Sequence, residues 1–228
     1  IHMERKLGLE PAEVVHRARW AVAYAAERVD EVEFSCEDAT RSDPDFVARV
    51  CRAVIAAGAS VVNLPDTVGY ALPHEYAGFL AAVRRRCPEL RQVTLSAHCH
   101  DDLGLAVANS LAAVQAGAQQ VECTVNGIGE RAGNASLEEV VVALKLKGEQ
   151  LEADTGIETT QLAASSRLVS ELTGYAVPRN KAVVGANAFA HEAGIHQDGM
   201  LKDARTYQII DPEDVGFHMT LPLGKHSG

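Results

Sequence analysis

Val32, Val61, Val93 and Val121 stand 29, 32 and 28 residues apart, each inside a short apolar run. A step of about 30 residues is the length of one strand–helix–strand repeat, because a parallel neighbour is reached only through a long crossover. The runs at 32–35, 60–64, 93–97 and 120–125 are predicted as buried strands. Alanine-rich amphipathic helices precede them at 11–28, 45–57, 73–86 and 104–116, and another follows at 136–149. Ala57-Gly58-Ala59 leads into Val61 as Ala116-Gly117-Ala118 leads into Val121, a weak internal repeat. The alternation implies parallel strands with right-handed crossovers. An open doubly wound sheet and a (β/α)8 barrel both satisfy it.

The rhythm breaks after Gln150. One more helix is expected at 159–172, ending at Gly174. From Tyr175 the chain is rich in Gly, His, Pro and Asn and shows no strand–helix repeat. This divides it into residues 1–174 and an appended, loop-rich subdomain over 175–228.

Twenty-one basic residues against 31 acidic ones leave a formal charge of −10. Nucleic acid and anionic membrane are therefore not expected as partners, since both require a basic surface. The five cysteines are scattered without a CxxC pair, which reads as reduced thiols in a cytoplasmic protein. No apolar run approaches the roughly 20 residues of a membrane span. Residues 1–9 are charged throughout, unlike a signal peptide. The chain opens on Ile1 and not Met, a first hint of truncation.

In either parallel architecture the active site collects at the C-terminal ends of the strands. Polar residues cluster there four times: Ser35, Glu37 and Asp38; Asn63, Asp66 and Thr67; 98–102; and 126–134. The pair His98-x-His100 is the sharpest signal. Alternate strand residues share a face, so two imidazoles at a strand end can converge on one ion while Cys99 points away. Imidazole with oxygen ligands suits a divalent first-row metal. The competing reading is two hydrogen-bonded histidines at a helix start, capped by Asp101 or Asp102; the four clusters together favour the metal. Residues 126–134 carry three glycines, fit for an anion-cradling loop or for a turn into a Ser136–Glu139 capping box. Glu37 and Glu130 are candidate acid–base groups, or solvated surface carboxylates. Thr67 is a ligand donor or a turn hydroxyl. Asp66 and Asp101 are candidates for orienting a histidine, or for capping helices.

The blocks 32–39 (VEFSCEDA), 63–70 (NLPDTVGY), 98–104 (HCHDDLG), 126–134 (NGIGERAGN), 194–199 (GIHQDG) and 224–228 (GKHSG) together resemble the metal-dependent Claisen-condensing barrels of the isopropylmalate/homocitrate synthase family. The first two blocks look closest to its 2-isopropylmalate branch. The resemblance implies a (β/α)8 TIM barrel, here roughly its second half (strands five to eight) with a post-barrel linker. It implies a divalent ion, with manganese favoured and magnesium or zinc possible, on His98, His100 and Asn134. It places Ser35, Glu37 and Thr67 on the side of a 2-oxo acid, and Glu130, His196 and Tyr207 in proton transfer. It implies acetyl-CoA as co-substrate and a homodimer whose linker reaches the partner's active site. Homocitrate and citramalate synthases are the sister possibilities; a non-catalytic half-barrel module is the rival of another class. The family's opening Arg-Asp-Gly strand, which supplies a further ligand, has no counterpart in this sequence, nor has its leucine-sensing domain. The 228-residue chain alone is therefore expected to be catalytically dead or nearly so, and prone to pair or aggregate through open edges.

Overall fold

A computed structural model describes residues 1–191 and 194–217 of the chain. The GKHSG block at 224–228 lies outside the described residues. Four short parallel strands, β1 (Glu33–Ser35), β2 (Val61–Asn63), β3 (Thr94–His98) and β4 (Gln120–Glu122), form one sheet in chain order. Helices α1 (Pro11–Ala26), α2 (Pro44–Ala56), α3 (Pro73–Arg86), α4 (Ala106–Gln115) and α5 (Leu137–Leu151) pack side by side in the same order over one face. Strand order and helix order that both follow the chain describe four consecutive units of a (β/α)8 barrel. The sequence reading of strands and helices holds, with ends shifted by a few residues. The largest shift shortens β4 at its C-terminal end, where residues 125–127 turn into a 3-10 bend.

Local chemistry explains the starts and stops. Pro11, Pro44 and Pro73 each occupy the first turn of a helix, where a missing N–H costs nothing. Asp43 caps α2 by accepting from the N–H groups of Asp45 and Phe46. The repeated Ala-Gly-Ala has a backbone cause: Gly58 and Gly117 follow α2 and α4 at φ of 112° and 95°. At Gly117 a side chain would also run into the Arg84 guanidinium.

The sheet has two unlike faces. Phe34, Val62, Leu64, Leu95, Ala97, Cys99, Val121 and Cys123 pack toward the helices with Val54, Leu80 and Val83. The alternate residues line the other side and, apart from Val61, are polar. Ser35, Asn63, Ser96 and Gln120 lie in one register row, with His98 beside Glu122 one step further on.

Beyond Leu151 the chain forms α6 (Leu162–Thr173) and then a segment whose valines join a second small core. Val183, Val184 and Val215 pack there with Val141, Val142 and Leu162. A seventh helix, α7 (Gly194–Lys202), falls in the stretch read from sequence as loop-rich. Its sequence GIHQDGMLK carries two glycines and no apolar stripe, so its helicity comes from surroundings rather than from propensity. Among the described residues, no helix is long and apolar enough to cross a membrane.

Candidate metal and active site

His98 closes β3 and His100 follows it into an isolated bridge with Asn134. Their Nε2 atoms face each other across 3.1 Å. That is the distance of a hydrogen bond between the two rings, and also about the separation of two nitrogens that share one ion at right angles. Burial holds both imidazoles below the ordinary histidine value; at His100 the neighbouring His98 and Arg131 charges add to it. A neutral imidazole is the form that binds a cation.

Asn134 is the third residue expected at this site. Its Nδ2 donates to the Ile128 carbonyl at 3.1 Å, and its buried Oδ1 has no hydrogen-bond partner. Asn134 is the backbone bridge partner of His100, and an orphaned amide oxygen is an unsatisfied group that a hard or borderline cation would satisfy. The residues present thus fit such an ion. Among the described residues, no set of three or more His, Cys, Asp or Glu side chains gathers as a shell, so the fit rests on two histidines and an amide.

The loop that presents Asn134 is stiff. Asn134 N–H bonds Gly127 O at 3.1 Å, and Thr124 Oγ1 bonds Ile128 O at 2.6 Å. Gly133, at φ 94°, comes so close that a Cβ would sit 1.9 Å from the Gly127 carbonyl. Arg131 then ties three loops together. Its guanidinium forks onto Asp102 at 2.8 and 2.9 Å and reaches the Thr67 carbonyl at 2.8 Å.

The polar row forms a network under the histidines. Asn63 Nδ2 donates to Ser35 Oγ at 3.0 Å and to Glu122 Oε1 at 3.1 Å. Gln120 Nε2 donates to Glu33 Oε2 at 3.0 Å and to Ser96 Oγ at 3.1 Å. Glu33 is exposed by residue area, yet partial burial of its carboxyl and the bond to Glu122 push it up to about 7. Glu122 Oε2 comes 2.7 Å from His98 Nδ1. Glu33 and Glu122 had no part in the sequence reading of the site. Strand alternation gives them the same face as His98, and that was the available signal.

The other expected residues divide. Ser35 lies in this network. Thr67 Oγ1 accepts from the Asp38 N–H at 2.9 Å, joining the ends of β1 and β2. Glu37 is half exposed and held by Lys6 at 2.7 Å beside a cavity of about 200 Å³ that Ser35 also lines. Glu130 is exposed on the 126–134 loop. His196 and Tyr207 stack at 4.3 Å between ring centroids, with His191 6.2 and 6.4 Å away. Among the described residues, no hydrogen bond, ion pair or ring contact links this trio to His98 or His100.

The hydrogen bonds of Asp66 and Asp101 show neither carboxylate on a histidine ring, and only Asp101 at a helix start. The fully buried carboxylate of Asp66 accepts from Thr40, Asn109 and the Ala71 N–H and not from a histidine ring, while the His100 N–H bonds the Asp66 main-chain carbonyl. Asp101 Oδ1 accepts from the Ala106 N–H at the start of α4. Ser136 and Glu139 form no capping box, since both side chains turn to Lys181.

Four consecutive barrel units with a histidine pair at the C-terminal end of a strand define the class, a (β/α)8-type barrel. The chain belongs to the HMGL-like family, whose pattern matches residues 1–169; residues 183–228 match the homocitrate synthase post-HMGL domain-like family. It is similar over its whole length to proteins named 2-isopropylmalate synthase, at 58% identity in Neisseria meningitidis serogroup B and 59% in Shouchella clausii. It spans 44% of the length of each of these relatives. Among solved structures it resembles hydroxymethylglutaryl-CoA lyase from Pseudomonas aeruginosa (TM-score 0.63, 24% identity, 77% of this chain and 60% of that one). The HMG-CoA lyase of Bacillus subtilis follows at TM-score 0.58 and 25% identity, over 73% of this chain and 58% of that one.

Proposed function

We propose that this chain carries the metal pair and part of the substrate pocket of a 2-isopropylmalate synthase, condensing acetyl-CoA with 2-oxoisovalerate and releasing CoA. The observation that carries the reading is the 3.1 Å approach of two imidazole nitrogens, with Asn134, whose amide oxygen has no partner, bridged to His100 through the backbone. The whole-length similarity to synthases of that name supports the substrate. His98, His100 and Asn134 would hold the ion, with manganese favoured over magnesium or zinc. When bound, the ion polarises the keto group of the oxo acid and steadies the charge that develops on its oxygen.

The chain's own residues do the rest. Ser35, Glu37 and Thr67 orient the oxo acid at the ends of β1 and β2. The methyl group of acetyl-CoA is a weak carbon acid and needs a positioned base. We assign proton transfer to the set Glu130, His196 and Tyr207. The resemblance to the synthase family supports a homodimer in which residues 175–228, acting as a linker subdomain, reach the partner's site. Residues 1–174 form the barrel portion. Two histidines and an amide are a sparse shell, so the 228 residues alone are expected to be inactive. A cytoplasmic, leucine-forming role follows from the same reading.

The test is CoA release by the complete encoded polypeptide with Mn2+ and 2-oxoisovalerate, set against 2-oxoglutarate and pyruvate. The match of residues 183–228 to a homocitrate synthase domain makes 2-oxoglutarate the leading competitor. Preference for 2-oxoglutarate would replace the substrate assignment, and activity that survives His98→Ala would remove the metal site.

A further inference from the structure

Glu138 lies in the first turn of α5 with a side chain only 1% exposed. A carboxylate so buried is tolerated only with partners. One oxygen accepts from the Asn126 N–H at 3.1 Å. The other has no hydrogen bond, and its cationic partner among the described residues is Lys181 Nζ at 3.5 Å. Lys181 is itself mostly buried, bonded to Ser136 Oγ and, at 2.7 Å, to Glu139.

The two ends of this contact belong to different machinery. Asn126 begins the loop that presents Asn134, in a left-handed conformation (φ 64°) fixed by paired bonds to Ser166 of α6. Gly127, next in line, receives the Asn134 N–H. Lys181 begins a tight turn in the segment that leads to His191, His196 and Tyr207. Two residues on, Val183 sits at φ 65°, a conformation a β-branched residue adopts only where its surroundings over-determine it. Val183 is buried against Val141 and Val142 of α5, so the strain is held from one side by packing and from the other by the Lys181 ion pair.

We infer that Lys181 and Glu138 form a joint that sets the Asn134 loop from the post-barrel segment, making both positioning residues for the metal site. The inference rests on the metal reading for its affinity readout alone. The complete protein is tested with Mn2+ as the probe. Lys181→Met keeps the length of the side chain and removes its charge; Lys181→Arg restores the charge. Lys181→Met is expected to weaken Mn2+ binding about 10-fold, read by electron paramagnetic resonance of the free ion. In the metal-free protein it should quicken amide exchange over 124–136 while leaving 61–63 and 94–98 unchanged. Lys181→Arg should return most of the lost protection. Glu138→Gln, combined with Lys181→Met, should add little to the single change, since both act on one contact. Wild-type exchange over 124–136 in Lys181→Met overturns the joint, as does quickening spread evenly over the sheet. Unchanged Mn2+ affinity, in a parent that binds the ion, overturns it too. A parent that takes up no Mn2+ overturns the metal reading instead, and the metal-free exchange comparison then judges the joint alone.

Discussion

Glu122 Oε2 lies 2.7 Å from Nδ1 of His98, while the other ring nitrogen of His98 faces His100. The two are register partners on β4 and β3, so backbone pairing sets their approach. The Nδ1 contact has ion-pair distance without hydrogen-bond alignment. Even so, a carboxylate there favours the tautomer with its proton on Nδ1, leaving the lone pair of Nε2 to face the site.

Glu122→Gln should therefore weaken Mn2+ binding by about 10- to 100-fold with little change in melting temperature. Calorimetric titration of the complete protein measures it. An affinity equal to the parent's would remove Glu122 from any orienting role.

Gly133→Ala combines a forbidden conformation with a collision. Left-handed backbone costs an ordinary residue roughly 1–2 kcal/mol, and the new Cβ would meet the Gly127 carbonyl. The bond from Asn134 N–H to Gly127 O should break and ion uptake fall by more than about 10-fold. If the variant titrates like the parent, the loop is not the support described here.

Tyr76 is wholly buried, and its hydroxyl donates to the carbonyl of Leu64 beyond β2. Tyr76→Phe leaves that carbonyl unsatisfied, so about 1–3 kcal/mol of stability should be lost. Urea unfolding gives the value; a midpoint unmoved at constant slope would refute it.

Cys51, Cys87 and Cys99 are fully buried, whereas Cys36 and Cys123 are partly open. Burial pushes Cys87 and Cys99 up to about 12; Cys51 is raised by its bond with Cys36 and by burial. At pH 8 a thiol reagent should label Cys36 and Cys123 quickly and the other three only on unfolding. The sign for stability follows. These thiols ionise more readily in the unfolded chain, near 9, than in the fold. Their contribution is intact below pH 9 and drains away as pH climbs toward 12. Rapid labelling of all five in the native protein would contradict this packing.

Periodicity made the four strand–helix units legible, because helix and strand repeats are local properties. His98 and His100 were legible for the same reason: alternation alone gives them one face. Glu122 carries the same alternation, but its importance depends on which residue of β3 stands beside it, and register is a tertiary fact. Lys181 and Glu138 are 43 residues apart in the chain, with nothing local to join them (181 − 138). Helix α7 escaped because its glycines mask it. Asp66 and Asp101 read equally well as caps or as histidine partners; side-chain direction made Asp101 the cap of α4 and tied Asp66 to Thr40, Ala71 and Asn109 instead.

The row Ser35, Asn63, Ser96 and Gln120 runs where a closed barrel of this kind is ordinarily filled by branched apolar side chains. Oil cannot seal such a surface. The row is held by its own bonds, Asn63 to Ser35 and Gln120 to Ser96, so an apolar substitution at one position strands the polar atom of its neighbour.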